Sequence, residues 1–136
     1  MNSSEQEIIV QAEPLRDLAY QLCIKAGVPK DHARLTADLQ VETDLRGVHS
    51  HGTRALPRYL KSIFSGDMNA VPDIQILENG PSYTVIDGGN GLGHPPCVQA
   101  MEAAIKKAKN TGVAVAGVRN AGHYGAAACY TMMAVE

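Results

Sequence analysis

The stretch Tyr83-Thr-Val-Ile-Asp-Gly-Gly-Asn-Gly-Leu-Gly93 joins a β-branched segment to a glycine-rich one. Its first part predicts a short strand over residues 83–86, because β-branched and aromatic side chains favour extended backbone. The glycines that follow predict a loop, and Pro95 or Pro96 suits the first turn of a helix. The stretch therefore predicts a strand, a loop and a helix in succession, which is typical of α/β proteins.

Two further segments extend this pattern to a sheet. Ile74–Leu77 predicts a strand that pairs with residues 83–86 in a hairpin, since Asn79-Gly80-Pro81 between them is a turn signature. Val113–Val118 is apolar on both faces, which is expected of a central strand. The sequence thus predicts a small sheet of about three strands.

The end of the chain has no stop signal. Residues 124–136 predict another helix, and the chain ends at Met132-Met-Ala-Val-Glu136, inside the apolar helical pattern and without a glycine cap. We therefore interpret residues 67–136 as an incomplete α/β domain of a truncated chain. Apolar surface on its sheet would then need a missing C-terminal portion or a partner to cover it.

Before this domain, residues 14–66 predict a three-helix unit, and residues 1–13 an N-terminal tail. Apolar residues recur at intervals of three or four along each helix, and glycines follow as caps. The helical segments are residues 14–26, 31–46 and 56–65. The predicted fold class is therefore α/β, with a helical unit in front of the sheet.

Charge and hydropathy exclude several classes of partner. Of the 136 residues, 12 are Lys or Arg and 14 are Asp or Glu, and neither sign forms a block, so no nucleic-acid or anionic membrane partner is expected. No apolar run reaches the roughly 20 residues that span a bilayer, and the N-terminus lacks the positive charge of a signal peptide. We therefore expect a cytoplasmic location. The 3 cysteines are widely spaced among apolar residues, which favours packed core thiols.

The densest polar cluster is Asp44-Leu-Arg-Gly-Val-His-Ser-His-Gly-Thr-Arg54, between two predicted helices. A histidine titrates near pH ~6.5, so His51 can donate or accept a proton at neutral pH. Ser50 and Arg54 can hold a substrate carbonyl or carboxylate. A polar helix connection, in which Ser50 caps the third helix and the histidines are solvated, explains the cluster equally well.

Two other kinds of chemistry are weaker hypotheses for the same cluster. His49 and His51 could bind zinc with His94 or His123 as a third ligand, but nothing specifies that ligand, and we expect no metal. Ser50 beside His51 suggests a hydrolase, but the G-x-S-x-G elbow between strand and helix is missing.

The glycine-rich segment 89–93 suggests a dinucleotide-binding loop, because glycines let backbone amides approach a pyrophosphate. The match is poor, since the spacing is G-x-G-x-G and Val118-Arg119 stand where an acidic ribose acceptor is needed. A structural turn in which Asp87 and Asn90 satisfy local amides is the favoured interpretation.

A second cluster, Arg119-Asn-Ala-Gly-His-Tyr-Gly125, follows the predicted central strand. Open α/β sheets bind ligands at the carboxyl ends of their strands, so His123 is a candidate site residue. The alternative is a glycine-rich turn from strand to helix in which the histidine only caps the helix, and the residues alone do not decide between the two.

Four segments together resemble the type 2 malate/L-lactate dehydrogenases, a family that also includes ureidoglycolate, sulfolactate and diketogulonate oxidoreductases. The segments are Glu42-Thr-Asp-Leu-Arg-Gly-Val-His-Ser-His-Gly52, Leu56-Pro-Arg-Tyr59, Asp87-Gly-Gly-Asn-Gly-Leu-Gly93 and Asn120-Ala-Gly-His-Tyr-Gly125. Their shared order is more specific than any one of them, and they extend over most of the chain. Because chains of this family are far longer, the resemblance is to an N-terminal portion.

The resemblance implies an enzyme that interconverts 2-hydroxy acids and 2-oxo acids with NAD or NADP, on a nucleotide-binding fold unlike the Rossmann domain. It implies an acid/base role for His51 and makes His123 a second candidate for proton transfer. Ser50 and Tyr59 fall on positions that line the substrate pocket. A homodimer is implied for the full-length form.

Two departures from the family qualify these expectations. The family usually has an arginine four residues after the Ser-His-Gly histidine, where this chain has Ala55, so Arg54 is the candidate for binding the substrate carboxylate. Most of the family's cofactor contacts lie beyond residue 136, so no cofactor-binding residue is assigned. The alternative function is a non-catalytic binding or assembly module derived from the same family.

Overall fold

The computed structural model describes residues 8–135. The elements in chain order are helices α1 (Ala12–Lys25), α2 (Lys30–Leu45) and α3 (Leu56–Ser65), strands β1 (Gln75–Asn79) and β2 (Tyr83–Gly91), helix α4 (His94–Thr111), strand β3 (Val115–Ala121) and helix α5 (Ala128–Thr131). Single 3₁₀ turns, Thr53–Ala55 and Met132–Ala134, precede α3 and follow α5. This order confirms the predicted α/β class with a helical unit at its start.

The first helices pack through small side chains. Ala33 and Ala37 repeat at i+4 on α2 and are fully buried, and α2 lies against α1. On α1 the buried residues are Ala19 and Cys23, whereas Leu18 of the same apolar pattern is exposed. Small side chains let two helix backbones approach closely, so fit at the interface, rather than hydrophobicity alone, decides which face of α1 is buried.

Helix α3 has the ends that its sequence predicts. Pro57 lies in the first turn, where its missing N–H costs no helical hydrogen bond, and Gly66 ends the helix with a φ of 81°. The inward face of α3 packs into the helical core, and Leu92, from the segment after β2, lies in the same core. The boundary between residues 66 and 67 stays a prediction, because the two predicted units share this contact.

In the described part of the chain, β2 is the middle strand of a three-stranded sheet. β1 pairs with it antiparallel, with Ile76 opposite Ile86, which confirms the hairpin. β3 pairs with β2 in parallel, with Val118 opposite Ile86. Within the described residues β3 lies at the sheet edge and Val115 is 67% exposed, which is the uncovered apolar surface that the sequence predicts; the central position of β3 stays a prediction. An apolar pattern indicates that the side chains of a strand suit burial, but it does not predict how many strands pair beside that strand.

The glycine-rich segment is partly strand rather than loop, which corrects the prediction. β2 continues to Gly91, and its pairing with β3 is irregular between Asp87 and Gly91. Gly89 and Asn90 have φ angles of 60° and 57° there, which makes this an irregular, bulged strand end. Asp87 accepts a hydrogen bond from the Gly89 amide at 2.9 Å, as the structural interpretation predicted, whereas the Asn90 side chain donates to the carbonyl of Asp67.

The predicted C-terminal helix is shorter than expected. Residues 124–127 precede α5, and Gly125 has a φ of 79°, a left-handed conformation that interrupts helical backbone. Glu136 lies outside the described residues, as do residues 1–7 of the predicted tail. None of the helices in the described part is long and apolar enough to cross a membrane. Cys23 is buried as predicted, whereas Cys97 and Cys129 are half-buried.

Candidate active site

Asp44 organises the loop between α2 and α3. Its Oδ2 accepts hydrogen bonds from the backbone N–H of Thr53 at 2.9 Å and from the Thr53 hydroxyl at 2.6 Å. Its Oδ1 lies 3.3 Å from Nδ1 of His49. Gly52 packs so closely against this carboxylate that any Cβ would overlap it. The carboxylate therefore holds the loop back on the end of α2 and sets the position of the Ser-His pair within it.

The structure brings the two polar clusters together. The Ser50 hydroxyl oxygen lies 2.8 Å from Nδ1 of His51. On its other side the His51 ring faces His123, with ring centroids 5.3 Å apart and an interplanar angle of 45°. One histidine comes from the loop after α2 and the other follows β3. The two predicted histidines thus share one site.

Tyr59 connects this pair to the protein core. Its side chain is 2% exposed, and its hydroxyl lies 2.7 Å from Nδ1 of His123. The backbone N–H of Gly125 donates to the same Nδ1 at 3.1 Å. Because an amide N–H can only donate, Nδ1 is the acceptor, and the proton of a neutral His123 is assigned to Nε2. His123 therefore presents an N–H donor on its far side.

Local charges favour the neutral form of His123. Partial burial, the His51 ring and the Arg58 guanidinium together lower the pKa of His123 below its usual value. Burial raises the pKa of Tyr59, so its hydroxyl keeps its proton. A neutral imidazole that accepts at Nδ1 and donates at Nε2 is the state that these surroundings favour at pH 7.

Arg58 is a site residue that the sequence did not single out. Its guanidinium carbon lies 5.7 Å from the centroid of the Tyr59 ring. The predicted carboxylate ligand, Arg54, is exposed on the 3₁₀ turn, and Ala55 beside it is buried. Arg58 could have been found from the sequence only because it directly precedes Tyr59. That position indicates a site residue only once Tyr59 is known to contact His123.

His94 is a second residue that sequence analysis treated only as a possible zinc ligand. It is the first residue of α4, is 1% exposed, and neither ring nitrogen has a hydrogen-bond partner among the described residues. Burial and the nearby His123 ring lower its pKa to about 3. Its ring packs edge-on against Tyr59 at a centroid distance of 6.0 Å. His94 is therefore a neutral side chain beneath the site.

Aromatic side chains support the open side of His123. Tyr124 stacks on the His123 ring at a centroid distance of 5.8 Å and an angle of 16°. The hydroxyl of Tyr130, a residue of α5, donates to the Tyr124 carbonyl. Burial raises the pKa of Tyr130 far above its usual value, so this hydroxyl stays a donor. Helix α5 thereby holds the segment that carries His123.

The weaker hypotheses find little support in this geometry. In residues 8–135 no group of three His, Cys, Asp or Glu side chains is arranged to hold a metal ion. His49 contacts Asp44, whereas His51 faces Ser50 and His123, so the His-x-His pair diverges. Ser50 lies in a loop between helices and not on a strand-to-helix elbow, which the hydrolase hypothesis requires.

The glycine-rich segment does not fit a pyrophosphate. A Cβ at Gly89 would meet the backbone of Asp73, and a Cβ at Gly91 would meet the ring of Pro72. These glycines therefore allow close packing of neighbouring chain segments, and the Gly89 amide already donates its hydrogen bond to Asp87. We assign no cofactor contact to this segment.

Known proteins resemble this chain along most of its sequence. It is 44% identical over 132 residues to a malate dehydrogenase from Pyrococcus horikoshii, a match that covers 97% of this chain and 37% of that protein. It is 43% identical over 129 residues to an L-sulfolactate dehydrogenase from Methanocaldococcus jannaschii, covering 95% of this chain and 38% of that protein. A ureidoglycolate dehydrogenase from Escherichia coli is 34% identical over 127 residues, covering 93% of this chain and 36% of that protein. The chain thus spans a little over a third of the length of these relatives.

Solved structures agree with the sequence matches. The malate dehydrogenase from Pyrococcus horikoshii superposes with a TM-score of 0.89 at 42% identity, covering 98% of this chain and 38% of that one. The sulfolactate dehydrogenase from Methanocaldococcus jannaschii also has a TM-score of 0.89, at 43% identity, covering 93% of this chain and 37% of that one. A sequence model of the malate/L-lactate dehydrogenases matches residues 10–136, and the chain belongs to that family.

Proposed function

We propose that this chain carries the proton-transfer site of a dehydrogenase that interconverts 2-hydroxy acids and 2-oxo acids. The observation that carries the proposal is the His51–His123 pair, with ring centroids 5.3 Å apart, beside the buried hydroxyl of Tyr59. Oxidation of a hydroxy acid removes a proton from its hydroxyl group and a hydride from the adjacent carbon. The proton needs an acceptor that titrates near neutrality, and an imidazole is such a group.

In this proposal His51 is the acid/base. Its Nδ1 faces the Ser50 hydroxyl at 2.8 Å, which leaves Nε2 to exchange a proton with the substrate oxygen. Ser50 orients the imidazole from behind and lines the pocket. In the reverse direction, protonated His51 returns the proton to the carbonyl oxygen as it becomes a hydroxyl.

His123 and Tyr59 have the supporting role. The assigned Nε2–H of His123 donates to the substrate oxygen and stabilises the negative charge that develops there. Tyr59 keeps Nδ1 of His123 occupied as an acceptor, at 2.7 Å. His123 is also the second candidate for the acid/base role, and the variants described in the Discussion separate the two.

The substrate carboxylate needs a cationic partner. Arg54 is the candidate from the sequence, and Arg58 is supported by its position over the Tyr59 ring. Either guanidinium can bind a carboxylate through two parallel hydrogen bonds. The site therefore suits a small acid that carries a carboxylate next to the reacting carbon.

The remaining parts of the proposal follow from family membership. We propose NAD or NADP as the hydride acceptor and assign none of the described residues to it. We also propose a homodimer, a small 2-oxo or 2-hydroxy acid as the ligand, no nucleic-acid or membrane partner, and a cytoplasmic location. The relatives named above act on malate, sulfolactate and ureidoglycolate, as their names state, which supports this substrate class.

Nuclear magnetic resonance titration of the chain with oxamate tests the site directly. Oxamate carries a carboxylate next to a carbonyl, so it should shift the ring signals of both His51 and His123. Acetate, which has the carboxylate without the carbonyl, is the control ligand and should act much more weakly. If oxamate shifts neither histidine, the non-catalytic binding or assembly module becomes the better account of the chain.

A further inference from the structure

Helix α2 carries a polar stripe into the interior. Thr36, Gln40 and Thr43 share one face of the helix, and each is at most 1% exposed. The Thr43 hydroxyl donates to the Leu39 carbonyl at 2.7 Å. By contrast, the Thr36 hydroxyl and both polar atoms of the Gln40 amide have no hydrogen-bond partner among the described residues. A buried amide with neither atom paired is costly, so its presence needs a reason.

Gln40 lies next to Tyr59. Helix α2 contacts the turn Thr53–Ala55 that leads into α3. Burial raises the pKa of Tyr59, and hydrogen-bonding groups on Arg58 and, to a smaller extent, Gln40 act against this rise, which places both side chains near the Tyr59 hydroxyl. The Gln40 amide lies near the hydroxyl but does not reach the geometry of a full hydrogen bond in this structure. Tyr59 is itself 2% exposed, so solvent does not compete for its hydroxyl from the buried side.

The direction of the Tyr59–His123 hydrogen bond decides what Gln40 can do. Because Gly125 donates its N–H to Nδ1 of His123, Nδ1 is an acceptor, and the Tyr59 hydroxyl must donate to it. The Tyr59 oxygen can then accept hydrogen bonds from other groups. The Arg58 guanidinium is a donor near it on the exposed side, and the Gln40 carboxamide N–H is a donor near it on the buried side. A donor on the buried side keeps the hydroxyl proton pointing at His123.

We propose that Gln40 is a positioning residue that donates a hydrogen bond from Nε2 to the Tyr59 hydroxyl oxygen. With this hydrogen bond in place, the Tyr59 hydroxyl donates its proton toward Nδ1 of His123. The proton of neutral His123 then stays on Nε2, where the substrate binds. This inference rests on the proposed function for its purpose, but the proposed hydrogen bond can be tested whether or not the chain turns over a substrate.

The test is the nitrogen-15 spectrum of the histidine rings in the whole chain. In the wild type, neutral His123 should exist almost entirely with its proton on Nε2. Gln40→Met keeps the length of the side chain but removes the amide, and should increase the share of the Nδ1–H tautomer at least twofold, in the same direction as Tyr59→Phe. Thr36→Val, which removes a buried polar group one turn away on the same helix face, should leave the His123 signals unchanged.

Different results would contradict the role of Gln40 and the proposed function. A Gln40→Met spectrum identical to wild type at His123, with a changed Tyr59→Phe spectrum, would overturn the proposal and leave the proposed function intact. If Gln40→Met does not fold, the wild type decides alone, since the Gln40 side-chain amide protons should then show cross-relaxation with the Tyr59 ring and slow exchange with solvent. If the Gln40 amide protons show neither this cross-relaxation nor slow exchange, the proposed role of Gln40 is also overturned. Failure of oxamate to shift His51, by contrast, would count against the function and not against the hydrogen-bond chain.

Discussion

The His51 ring lies with its centroid 5.3 Å from that of His123, although one residue follows α2 and the other follows β3. After partial burial, the His51 ring is the next cause that lowers the pKa of His123, since a positive charge on His123 is disfavoured so close to a second imidazole. The Ser50 hydroxyl contacts His51, and Tyr59 with Gly125 contacts His123. The two rings therefore have different surroundings, which suits different roles in one proton transfer.

The first prediction concerns the acid/base group. In an active enzyme that contains this chain, His51→Asn should lower kcat by roughly two to four orders of magnitude, since asparagine keeps polarity but cannot exchange a proton. His123→Asn should lower kcat less, because it removes a hydrogen bond to the substrate oxygen. Steady-state kinetics with a 2-oxo acid measure both. Near-normal turnover of His51→Asn with an inactive His123→Asn would move the acid/base role to His123.

The second prediction concerns Arg58. Its positive charge is one of the causes that lower the pKa of His123, after burial and the His51 ring, so Arg58→Met should raise that pKa. Histidine titrations by nuclear magnetic resonance measure the change. Arg54→Met removes a guanidinium from a nearby position and is the matched control.

The same pair of variants identifies the carboxylate ligand. Loss of a guanidinium that binds the substrate carboxylate should raise KM roughly 10- to 100-fold, the usual cost of a lost charge-assisted hydrogen bond. If Arg54→Met alone raises KM, the sequence-based assignment is correct. If only Arg58→Met does so, Arg58 has taken the role of the arginine that the family has where this chain has Ala55.

The third prediction links His94 to acid stability. Its folded-state pKa of about 3 is below the value of about 6.5 in the unfolded chain, so between these values the unfolded state binds more protons. The free energy of unfolding should therefore fall by about 1.4 kcal/mol per unit as pH decreases below about 6.5. His32 and His123, whose pKa values are also lowered, act in the same direction.

A phenylalanine at this position gives the control. His94→Phe keeps an aromatic ring in the buried site but binds no proton, so its stability should depend less steeply on pH between 6.5 and 3, by one proton's contribution. Urea unfolding at several pH values measures the slope. Equal slopes for the wild type and His94→Phe would contradict the assignment of a buried neutral imidazole.

The fourth prediction uses two glycines with nearly the same φ angle. Gly112 and Gly125 have φ angles of 80° and 79°, but nothing lies within 4 Å of a Cβ at Gly112, whereas a Cβ at Gly125 would lie 3.0 Å from Nε2 of His94. Gly112→Ala should therefore cost only the strain of a left-handed alanine, about 1–2 kcal/mol. Gly125→Ala should cost more, on the order of 2–4 kcal/mol, because it also crowds the buried ring. Equal losses in urea unfolding would show that His94 moves aside freely.

The helices and the hairpin could be predicted because their signals are local. Apolar spacing, Pro57 in a first turn and the glycines after the helices act within a few residues, and Asn79-Gly80-Pro81 specifies a turn by itself. The edge position of β3 could not be predicted from Val113–Val118. Whether an apolar strand lies in the middle of a sheet depends on which strands pair beside it, and this pairing is not a property of the segment.

Some features of the candidate site can likewise be predicted from the sequence, and others cannot. The two polar clusters, the presence of His51 and His123 among small residues, and the family resemblance can be recognised without a structure, because they depend on residue types and their order. The packing of helices and strands in space is what brings the two rings together, places Tyr59 and Gly125 on Nδ1 of His123, and puts Gln40 near the Tyr59 hydroxyl. A buried glutamine in a helix looks like any other polar residue in sequence, since the groups near it depend on how α2 packs against the turn Thr53–Ala55 and not on its neighbours along the chain.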